Sequence, residues 1–535
     1  MLAAEHKGLK QLVFADEVKP VDVLLKAQKE GTQAAEFPNR PEDRNRGRLA
    51  ASSAFLTRPS QVEQRGLATG APPPFEREVH LERGEREPLE DPSDEVVAHR
   101  NLEGNIPAVL IPLRARPWLI LASVTLVPRL LLALFLGIWG EPERWEYDVI
   151  AESIHAGEGH NYQRGIHHYA AYAPPLWSYC LAGLLGLPGE SRASIQWAQG
   201  FLCMGAAAAC AALAKRLTGR STTAWLCGVL VALQPSLLYY SVVKSDPLPL
   251  NAFLLSLIAL FGTILVERPE PRGTFGFGLL VALGTLSRGT PAIALPIVAL
   301  ILAAKGRSRA FIPVLSMSLG FGLGLAPWLI RNAIYVGEPL ITSTSGENFW
   351  RGNNERATGG IVDKTGRTLT DLSPEARADS PFPPAIREVL ALGSEADRQR
   401  VFTAEAWRFI RSQPRQALLL FAEKMKIFWW RITSRPGDYP EMQARLYEWI
   451  YRTELLLALA GLGALAAGRL PLSPRSGPMT LTLLMALILG ISVLQSAFYV
   501  QGRHRFLIEP LLLVLTAWGA EGVLARAHRL RGPAG

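Results

Sequence analysis

Long apolar runs separated by short basic loops constrain the fold of this chain more than any other feature of its sequence. Three runs, Leu248–Val266, Ala310–Ile330 and Pro478–Val500, contain no charged residue over 19 residues or more. An α-helix rises about 1.5 Å per residue and needs roughly 20 residues to cross a bilayer core. The pattern therefore excludes a single soluble globule and predicts an all-α polytopic membrane protein.

The sequence contains about ten such runs, and we predict that each forms a membrane-crossing helix. They cover residues 118–139, 193–214, 222–241, 248–266, 274–287, 290–304, 310–330, 453–468, 478–500 and 506–525. Short loops between them carry clusters of lysine and arginine, which the positive-inside rule places in the cytoplasm. Both termini then lie inside, and two polar regions, residues 140–192 and 331–452, lie outside.

The predicted domains follow from this topology. Residues 1–115 carry 16 Lys/Arg and 19 Asp/Glu and few large apolar residues, so we expect a disordered cytoplasmic tail. Residues 116–330 form the transmembrane core, which includes the first outer loop (140–192). Residues 331–452 form an extracytoplasmic loop and helical region, and residues 453–535 hold the C-terminal transmembrane helices.

Three surface-lying or outer helices are predicted within the polar regions. Ala173–Leu187 includes two adjacent prolines near its start and is expected to lie along the membrane surface rather than to cross it. Ser394–Ser412 has apolar residues at helical spacing. Gln416–Trp430 is apolar with three charges, which indicates an amphipathic helix on the outer membrane face or a further crossing.

Acidic residues are concentrated in the first outer loop. Glu143, Glu146 and Asp148 lie within six residues, and Glu141 and Glu152 flank them. Carboxylates at the mouth of a membrane bundle can act as general bases or hold a divalent cation, here Mg²⁺ or Mn²⁺. A solvated loop is the alternative interpretation of such a cluster.

Basic residues at the ends of the apolar runs are the second candidate group. Ionisable residues at membrane depth are costly and are functional candidates by default. In the predicted topology five cations reach the outer face and would suit a phosphate group: Lys244, Arg288, Arg331, Arg503 and Arg505. Arg129 falls inside the first run and is expected to pair structurally within the bundle, whereas Lys244 and Asp246 have the alternative of pairing with each other.

These two groups together indicate a particular reaction. An acid at the outer face would deprotonate an acceptor hydroxyl, which attacks a sugar carried on a lipid phosphate. The basic residues would stabilise the charge of the leaving phosphate. The sequence has no P-loop or dinucleotide-binding glycine motif. Its basic excess lies in short loops between apolar runs, so nucleic acid is not the expected partner.

Several segments, taken in order, resemble a known family. They read VPRLLLALF, YDVIAESIHAGEGHNY, YAPPLWSYCLAGLLGL, SRGTPAIALP, APWLIRNAIYVGEPLITSTSGENFWRGNN, AWRFIRSQPRQALLLFAEKMK and QGRHRFLIEPLLL, and they span about residues 118–525. The chain resembles the bacterial GT-C membrane glycosyltransferases (glycosyltransferase family 39-like), which are related to dolichyl-phosphate-mannose protein mannosyltransferases and to the lipid A aminoarabinose transferase.

The resemblance implies an inverting transfer from a polyprenyl-phosphate sugar to a glycan, lipid or protein acceptor. It implies the bacterial inner membrane, with the active site facing the periplasm and a first-loop acid as base. Tyr147 matches the tyrosine of the family motif, which puts Glu143 at the acid position, where relatives carry Asp. Because Glu146 and Asp148 also fit an acid–x–acid pattern, the base stays open between Glu143 and Asp148.

One departure from the family concerns the phosphate. Many relatives carry a lysine before the proline of the surface helix, but Ala173 precedes Pro174 here. The phosphate contact must then come from other basic residues. Two alternative functions remain at this point: a transporter or flippase of a lipid-linked sugar, and a catalytically inactive GT-C relative.

Overall fold

The structure is a computed structural model that describes residues 115–165, 167–187, 192–364, 382–431 and 441–530. The predicted disordered tail, residues 1–115, lies outside the described residues apart from Ala115. The described part is helical except for loops, one short hairpin and two isolated bridges. The all-α polytopic class is therefore confirmed.

Eighteen α-helices follow one another in the described residues. They are α1 (Ala115–Leu136), α2 (Glu146–His155), α3 (Pro175–Leu185), α4 (Ala193–Thr218), α5 (Ser221–Ala232), α6 (Pro235–Val243), α7 (Leu248–Glu267), α8 (Pro271–Ser287), α9 (Ala294–Lys305), α10 (Arg307–Tyr335), α11 (Ser345–Gly352), α12 (Pro384–Leu392), α13 (Glu395–Ser412), α14 (Pro414–Trp430), α15 (Glu441–Ala466), α16 (Gly477–Ser496), α17 (Gly502–Arg505) and α18 (Glu509–Leu530). The strands β1 (Tyr162–Arg164) and β2 (His167–Tyr169) pair antiparallel between α2 and α3.

Six of the described helices are long and apolar enough to cross a membrane. They are α1, α4, α7, α10, α15 and α16, and the bent pair of α5 and α6 makes a seventh if it counts as one span. The other predicted runs also form helices. However, α8 has only 17 residues and α9 only 12, and α18 is not among the candidate spans. The predicted count of about ten crossings is thus larger than the number of helices that satisfy these criteria.

The fifth and sixth helices divide one predicted run, 222–241, by a bend of 40°. Pro235 begins α6 and has no N–H to continue a helical hydrogen-bond ladder. The Ala232 carbonyl near the break accepts a hydrogen bond from Arg129 Nη1 at 2.8 Å, and Arg129 Nε donates to Ser241 Oγ at 2.9 Å. Arg129 therefore has the structural role in the bundle that its position predicts.

Glycines allow two helix pairs to approach closely. A Cβ added at Gly278 of α8 would lie 2.0 Å from the Met317 carbonyl oxygen of α10. A Cβ added at Gly519 of α18 would lie 1.9 Å from the Leu457 carbonyl oxygen of α15. Small residues at such crossings let backbones touch, which strengthens packing between helices in a membrane.

The helices of the outer region begin close to their predicted positions. Ser394 is the N-cap of α13: its hydroxyl accepts a hydrogen bond from the Asp397 N–H, and the Asp397 carboxylate accepts one from the Ser394 N–H. This capping box explains why the predicted helix Ser394–Ser412 starts where it does. The predicted helix Gln416–Trp430 is α14, which begins two residues earlier at Pro414.

One helix is longer than its sequence pattern predicts. The apolar run 453–468 belongs to α15, which already begins at Glu441. The additional turns mix charged side chains with apolar and aromatic ones and contain the ion pairs Glu441–Arg445 and Glu448–Arg452, both at i,i+4 spacing. Such pairs support the helix while their charges interrupt the apolar run, so hydropathy alone misses these turns.

The predicted surface segment Ala173–Leu187 contains α3. At 11 residues, or about 16 Å, this helix is too short to cross a bilayer. Its Trp177 and Leu181 side chains are buried in a small apolar cluster together with Ala151 of α2. The cluster fixes the first outer loop against the bundle, which positions the acidic residues described next.

Candidate functional site

A backbone bridge joins the first outer loop to the segment that follows α6. The Glu143 N–H donates to the Val243 carbonyl at 2.7 Å, and the Ser245 N–H donates to the Glu143 carbonyl at 3.0 Å. These bonds form an isolated parallel bridge between Glu143 and Lys244. The bridge therefore brings a predicted acid and a predicted phosphate-binding residue together, although 100 residues of sequence separate them.

The side chains of this bridge form an ion pair. Lys244 Nζ lies 3.4 Å from Glu143 Oε2, and the two side chains are 9% and 47% exposed, respectively. The ammonium also lies 4.4 Å from the centroid of the Trp145 ring and 5.8 Å from that of Tyr240. Aromatic faces attract a cation, so both rings favour the position of the ammonium. Glu143 remains accessible beside it.

Asp148 is enclosed rather than accessible. Its side chain accepts hydrogen bonds from the Trp145 N–H and from Arg192 Nη1, both at 3.1 Å. Burial raises the pKa of Asp148 to about 6, although the bond from Trp145, the Ser245 hydroxyl and the charge of Arg192 each act to lower it. Arg192 also pairs with Glu152. Asp148 thus caps the start of α2 and anchors Arg192.

Glu146 faces the same space with its carboxylate unengaged. Neither a hydrogen bond nor an ion pair to its side chain occurs within the described ranges. Burial raises the pKa of Tyr162, and the charge of Glu146 raises it further. Burial lowers the pKa of Arg503, but nearby groups, Glu146 among them, raise it above its usual value. The charge of Glu146 therefore acts on both Tyr162 and Arg503.

The charges of Lys244 and of two predicted arginines all act on one acid, Asp246. Burial raises the pKa of Asp246, and the charges of Arg503, Lys244 and Arg288 act to lower it. Burial also lowers the pKa of Arg288, and the charge of Arg503 lowers it further. Lys244, Arg288 and Arg503, which we call the basic cluster, therefore concentrate positive charge near the half-buried carboxylate of Asp246. Such an arrangement suits a bound anion.

Tyr499 lies beside two members of the basic cluster. Arg503 Nε donates to Gln501 Oε1 at 3.0 Å, two residues after Tyr499, and Arg288 Nη2 donates to Gln495 Oε1 at 3.2 Å. Burial would raise the pKa of Tyr499, but the charges of Arg503, Arg351 and Arg288 lower it below its usual value. The phenol therefore lies within the field of three guanidinium groups.

Arg351 extends this positive field from the outer region. Its guanidinium lies 5.6 Å from the centroid of the Tyr499 ring. Arg351 also pairs with Glu347, and Arg164 of the hairpin pairs with the same carboxylate at 3.2 Å. Sequence reasoning did not select Arg351 or Tyr499 as site residues. The only sequence signal was that Arg351 lies in a segment resembling the family and that Tyr499 lies two residues before another.

Arg331 lies apart from the basic cluster. Its Nη1 donates to the Ala170 carbonyl and to Asn332 Oδ1, and its guanidinium lies 4.9 Å from the rings of both Trp328 and Tyr335. These contacts tie the end of α10 to the loop that follows β2. The structure therefore gives Arg331 partners of its own and does not bring it to Asp246.

Arg505 is enclosed below the basic cluster. It is 1% exposed, lies 3.6 Å from the centroid of the Tyr451 ring, and pairs with Glu509 at 3.6 Å. Glu509 Oε2 also accepts hydrogen bonds from Gln234 Nε2 at 2.9 Å and from Ser236 Oγ at 2.7 Å. Arg505 therefore belongs to a buried network that joins α18 to the break between α5 and α6.

The acids of the first outer loop are also the candidates for holding a metal ion. Among the described residues, no group of three or more His, Cys, Asp or Glu is arranged to bind a metal ion. The divalent cation, Mg²⁺ or Mn²⁺, that the acids of the first outer loop permit stays a prediction.

Comparison with known proteins relates a central segment of this chain to a family. Residues 172–330 match the family model of dolichyl-phosphate-mannose-protein mannosyltransferases. The chain is related to the GT-C glycosyltransferases. The matched segment extends from the loop before α3 into α10 and contains Lys244, Asp246 and Arg288. A search of curated proteins finds no match.

This relation bears on function at a coarse level. It implies a membrane glycosyltransferase of the GT-C type, and the apolar helices make the chain a multi-pass membrane protein. A lipid-linked sugar donor and an acceptor at the membrane follow from the family. The acids of the first outer loop and Arg503 lie outside the matched residues, so their roles depend on the geometry described above.

Proposed function

We propose that the protein transfers a sugar from a polyprenyl-phosphate donor to a glycan, lipid or protein acceptor of the cell envelope. The observation that carries the proposal is the convergence of Lys244, Arg288 and Arg503 beside the accessible Glu143 carboxylate. A cationic pocket next to an acid supplies both groups that the reaction needs. The relation to GT-C glycosyltransferases makes a lipid phosphate the expected anion.

The basic cluster would bind the phosphate of the donor. Guanidinium groups bind phosphate oxygens with paired, charge-assisted hydrogen bonds. When the bond between the sugar C1 and the phosphate oxygen breaks, negative charge grows on the leaving phosphate. Positive groups already in place stabilise that charge without reorganising, which lowers the barrier. Arg288 and Arg503 have this role, and Lys244 connects them to the acid.

Glu143 is the proposed general base. Among the three candidate acids it contacts the basic cluster directly and is still 47% exposed, whereas Asp148 is enclosed. The acceptor hydroxyl would give its proton to Glu143 while its oxygen attacks C1 from the face opposite the phosphate. The configuration at C1 inverts, and the lipid phosphate leaves.

Glu146 is the second candidate base, because its carboxylate has no partner among the described side chains and its charge acts on Arg503. It lies three residues from Glu143, on the first turn of α2. The two assignments predict different inactive variants, so one experiment separates them.

The proposed orientation places this site on the periplasmic side of a bacterial inner membrane, with both termini in the cytoplasm. Asp246 lies just before α7, and Glu267 at the other end of α7 pairs with Arg216 at 2.6 Å. The 20 residues of α7 separate these two ends by about 30 Å. The loop containing Lys215, Arg216 and Arg220 is therefore at the opposite membrane face, as positive-inside orientation requires.

The test uses purified protein in lipid nanodiscs with a panel of polyprenyl-phosphate sugars. Wild type is expected to release free polyprenyl phosphate, and Glu143→Gln is expected to bind the donor without release. Loss of release in Glu146→Gln instead would move the base to that residue. Donor bound without release by wild type would indicate an inactive relative. Movement of intact donor across proteoliposomes without release would indicate a flippase.

A further inference from the structure

A buried lysine outside the proposed site carries a further inference. Lys424 of α14 is 1% exposed, and its Nζ donates to the Gly352 carbonyl at 3.0 Å, to Asn353 Oδ1 at 3.0 Å and to the Ala497 carbonyl at 3.4 Å. An ammonium group has three N–H donors, so all of them are engaged.

The three acceptors are neutral. Within the described ranges, no carboxylate lies at ion-pair distance from Lys424. Burying a charge away from water costs free energy unless its hydrogen bonds are replaced, and here neutral oxygens alone replace them. An apolar residue at this position would avoid that cost. The presence of a lysine therefore indicates that the three bonds have a use beyond filling space.

The bonds of Lys424 join two segments that carry residues of the candidate site. Gly352 and Asn353 directly follow Arg351, and Ala497 lies two residues before Tyr499. Asn353 Nδ2 donates to the Ala497 carbonyl at 2.7 Å, so the two segments are also bonded to each other.

The same two segments are in direct backbone contact. A Cβ added at Gly352 would lie 2.4 Å from the Phe498 carbonyl carbon. Val500 is fixed as well, because its N–H donates to the Gly359 carbonyl at 2.8 Å. The segment that carries Tyr499 is therefore held against the outer region on both sides of that residue.

We propose that Lys424 is a positioning residue of the phosphate site. Its ammonium fixes the segments of Arg351 and Tyr499 relative to each other, and the Tyr499 segment continues to Gln501, whose Oε1 accepts a hydrogen bond from Arg503 Nε at 3.0 Å. Lys424 acts through these residues and does not touch the donor. The inference rests on the proposed function, because the proposed function assigns Arg503 to the donor phosphate.

The experiment measures binding of two probes, a polyprenyl phosphate and the corresponding uncharged polyprenol, to the full chain in nanodiscs. Lys424→Met is expected to weaken binding of polyprenyl phosphate about tenfold, or roughly 1.4 kcal/mol, and to leave polyprenol binding unchanged. The matched control is Lys426→Met. Lys426 is on the same helix, is 54% exposed and pairs only loosely with Glu423, at 3.7 Å, so both probes should bind as in wild type.

A double-mutant cycle distinguishes positioning from a general structural role. In an Arg503→Gln background, Lys424→Met should cause little further loss of phosphate binding, because its effect passes through Arg503. Asn353→Ala removes one acceptor and the Asn353–Ala497 bond. If Lys424→Met does not fold, this milder variant should show the same selective loss.

Three outcomes would overturn the inference. Lys424→Met and Asn353→Ala could both bind polyprenyl phosphate with wild-type affinity, or they could lose as much affinity for polyprenol as for polyprenyl phosphate. The third is that the losses of phosphate binding caused by Lys424→Met and Arg503→Gln add fully in the double variant. If wild type itself fails to distinguish polyprenyl phosphate from polyprenol, the proposed phosphate site is wrong and the inference falls with it. That result is separable from the other three, because it concerns the unmodified protein.

Discussion

Glu143 Oε2 lies 3.4 Å from Lys244 Nζ, at a point where the backbones of the two residues also pair. The contact connects the first outer loop with the break between α6 and α7. It places the accessible acid of the loop directly on the basic cluster. An acid that accepts a proton and cations that accept a leaving phosphate must lie within one sugar ring of each other, and this relationship provides that proximity.

The five predicted phosphate-binding residues should separate into two groups. Arg288→Gln and Arg503→Gln are each expected to weaken binding of polyprenyl phosphate about tenfold or more, because a charged hydrogen-bonding group is lost. Arg331→Gln should bind it nearly as wild type, since Arg331 is engaged with the loop after β2. Equilibrium binding in nanodiscs checks this. Equal losses in all three variants would contradict the assignment.

Arg505 should matter for stability. Arg505→Met leaves the buried Glu509 without its cation, and we expect a loss of about 3–5 kcal/mol in the free energy of unfolding. The double variant Arg505→Met with Glu509→Gln should recover part of that loss, because no unpaired buried charge remains. Thermal unfolding measures both, with Arg475→Met, an exposed arginine, as control. A stable Arg505→Met protein that has lost only donor binding would refute the structural role.

The raised pKa of Asp148 predicts that the stability of the folded protein depends on pH. Its folded-state pKa of about 6 is above its ordinary value of 3.8, so between these pH values the folded protein holds a proton that the unfolded chain releases. This contribution favours folding at low pH and is lost as the pH rises through about 6. Between pH 4 and 7, wild type should therefore lose roughly 2–3 kcal/mol of stability relative to Asp148→Asn. Parallel stability curves for the two proteins would contradict this.

Much of the helical framework could be predicted from sequence, because apolar length and capping are local properties. The Ser394 capping box and the two prolines at the start of α3 mark helix starts directly. The first turns of α15 escaped prediction, since their charged residues interrupt the apolar run. The helix α11, which carries Arg351, was not among the predicted helices.

The candidate site was less predictable, because its contacts join distant parts of the chain. Arg503 and Arg505 lie two residues apart on α17, and residues at that spacing do not share a helix face. One therefore reaches Tyr499 and Asp246, whereas the other enters the network with Glu509. The sequence shows only two arginines with one residue between them, so it could not separate these roles.

The same limit applies to the acids of the first outer loop. Glu143, Glu146 and Asp148 are equivalent carboxylates in sequence, and the family motif alone leaves more than one candidate. Their environments differ because of partners far along the chain: Lys244 for Glu143, and Arg192 for Asp148. Burial and pairing thus distinguish an accessible acid from an enclosed one.

The most direct test of the account is a single-turnover measurement of polyprenyl-phosphate release from a bound polyprenyl-phosphate sugar. Wild type and Glu141→Gln, which alters a neighbouring exposed acid, should release the lipid phosphate at the same rate. Glu143→Gln should bind the donor normally but release it about 10²–10⁴-fold more slowly, because the general base is lost. Release by Glu143→Gln at the wild-type rate would contradict the account.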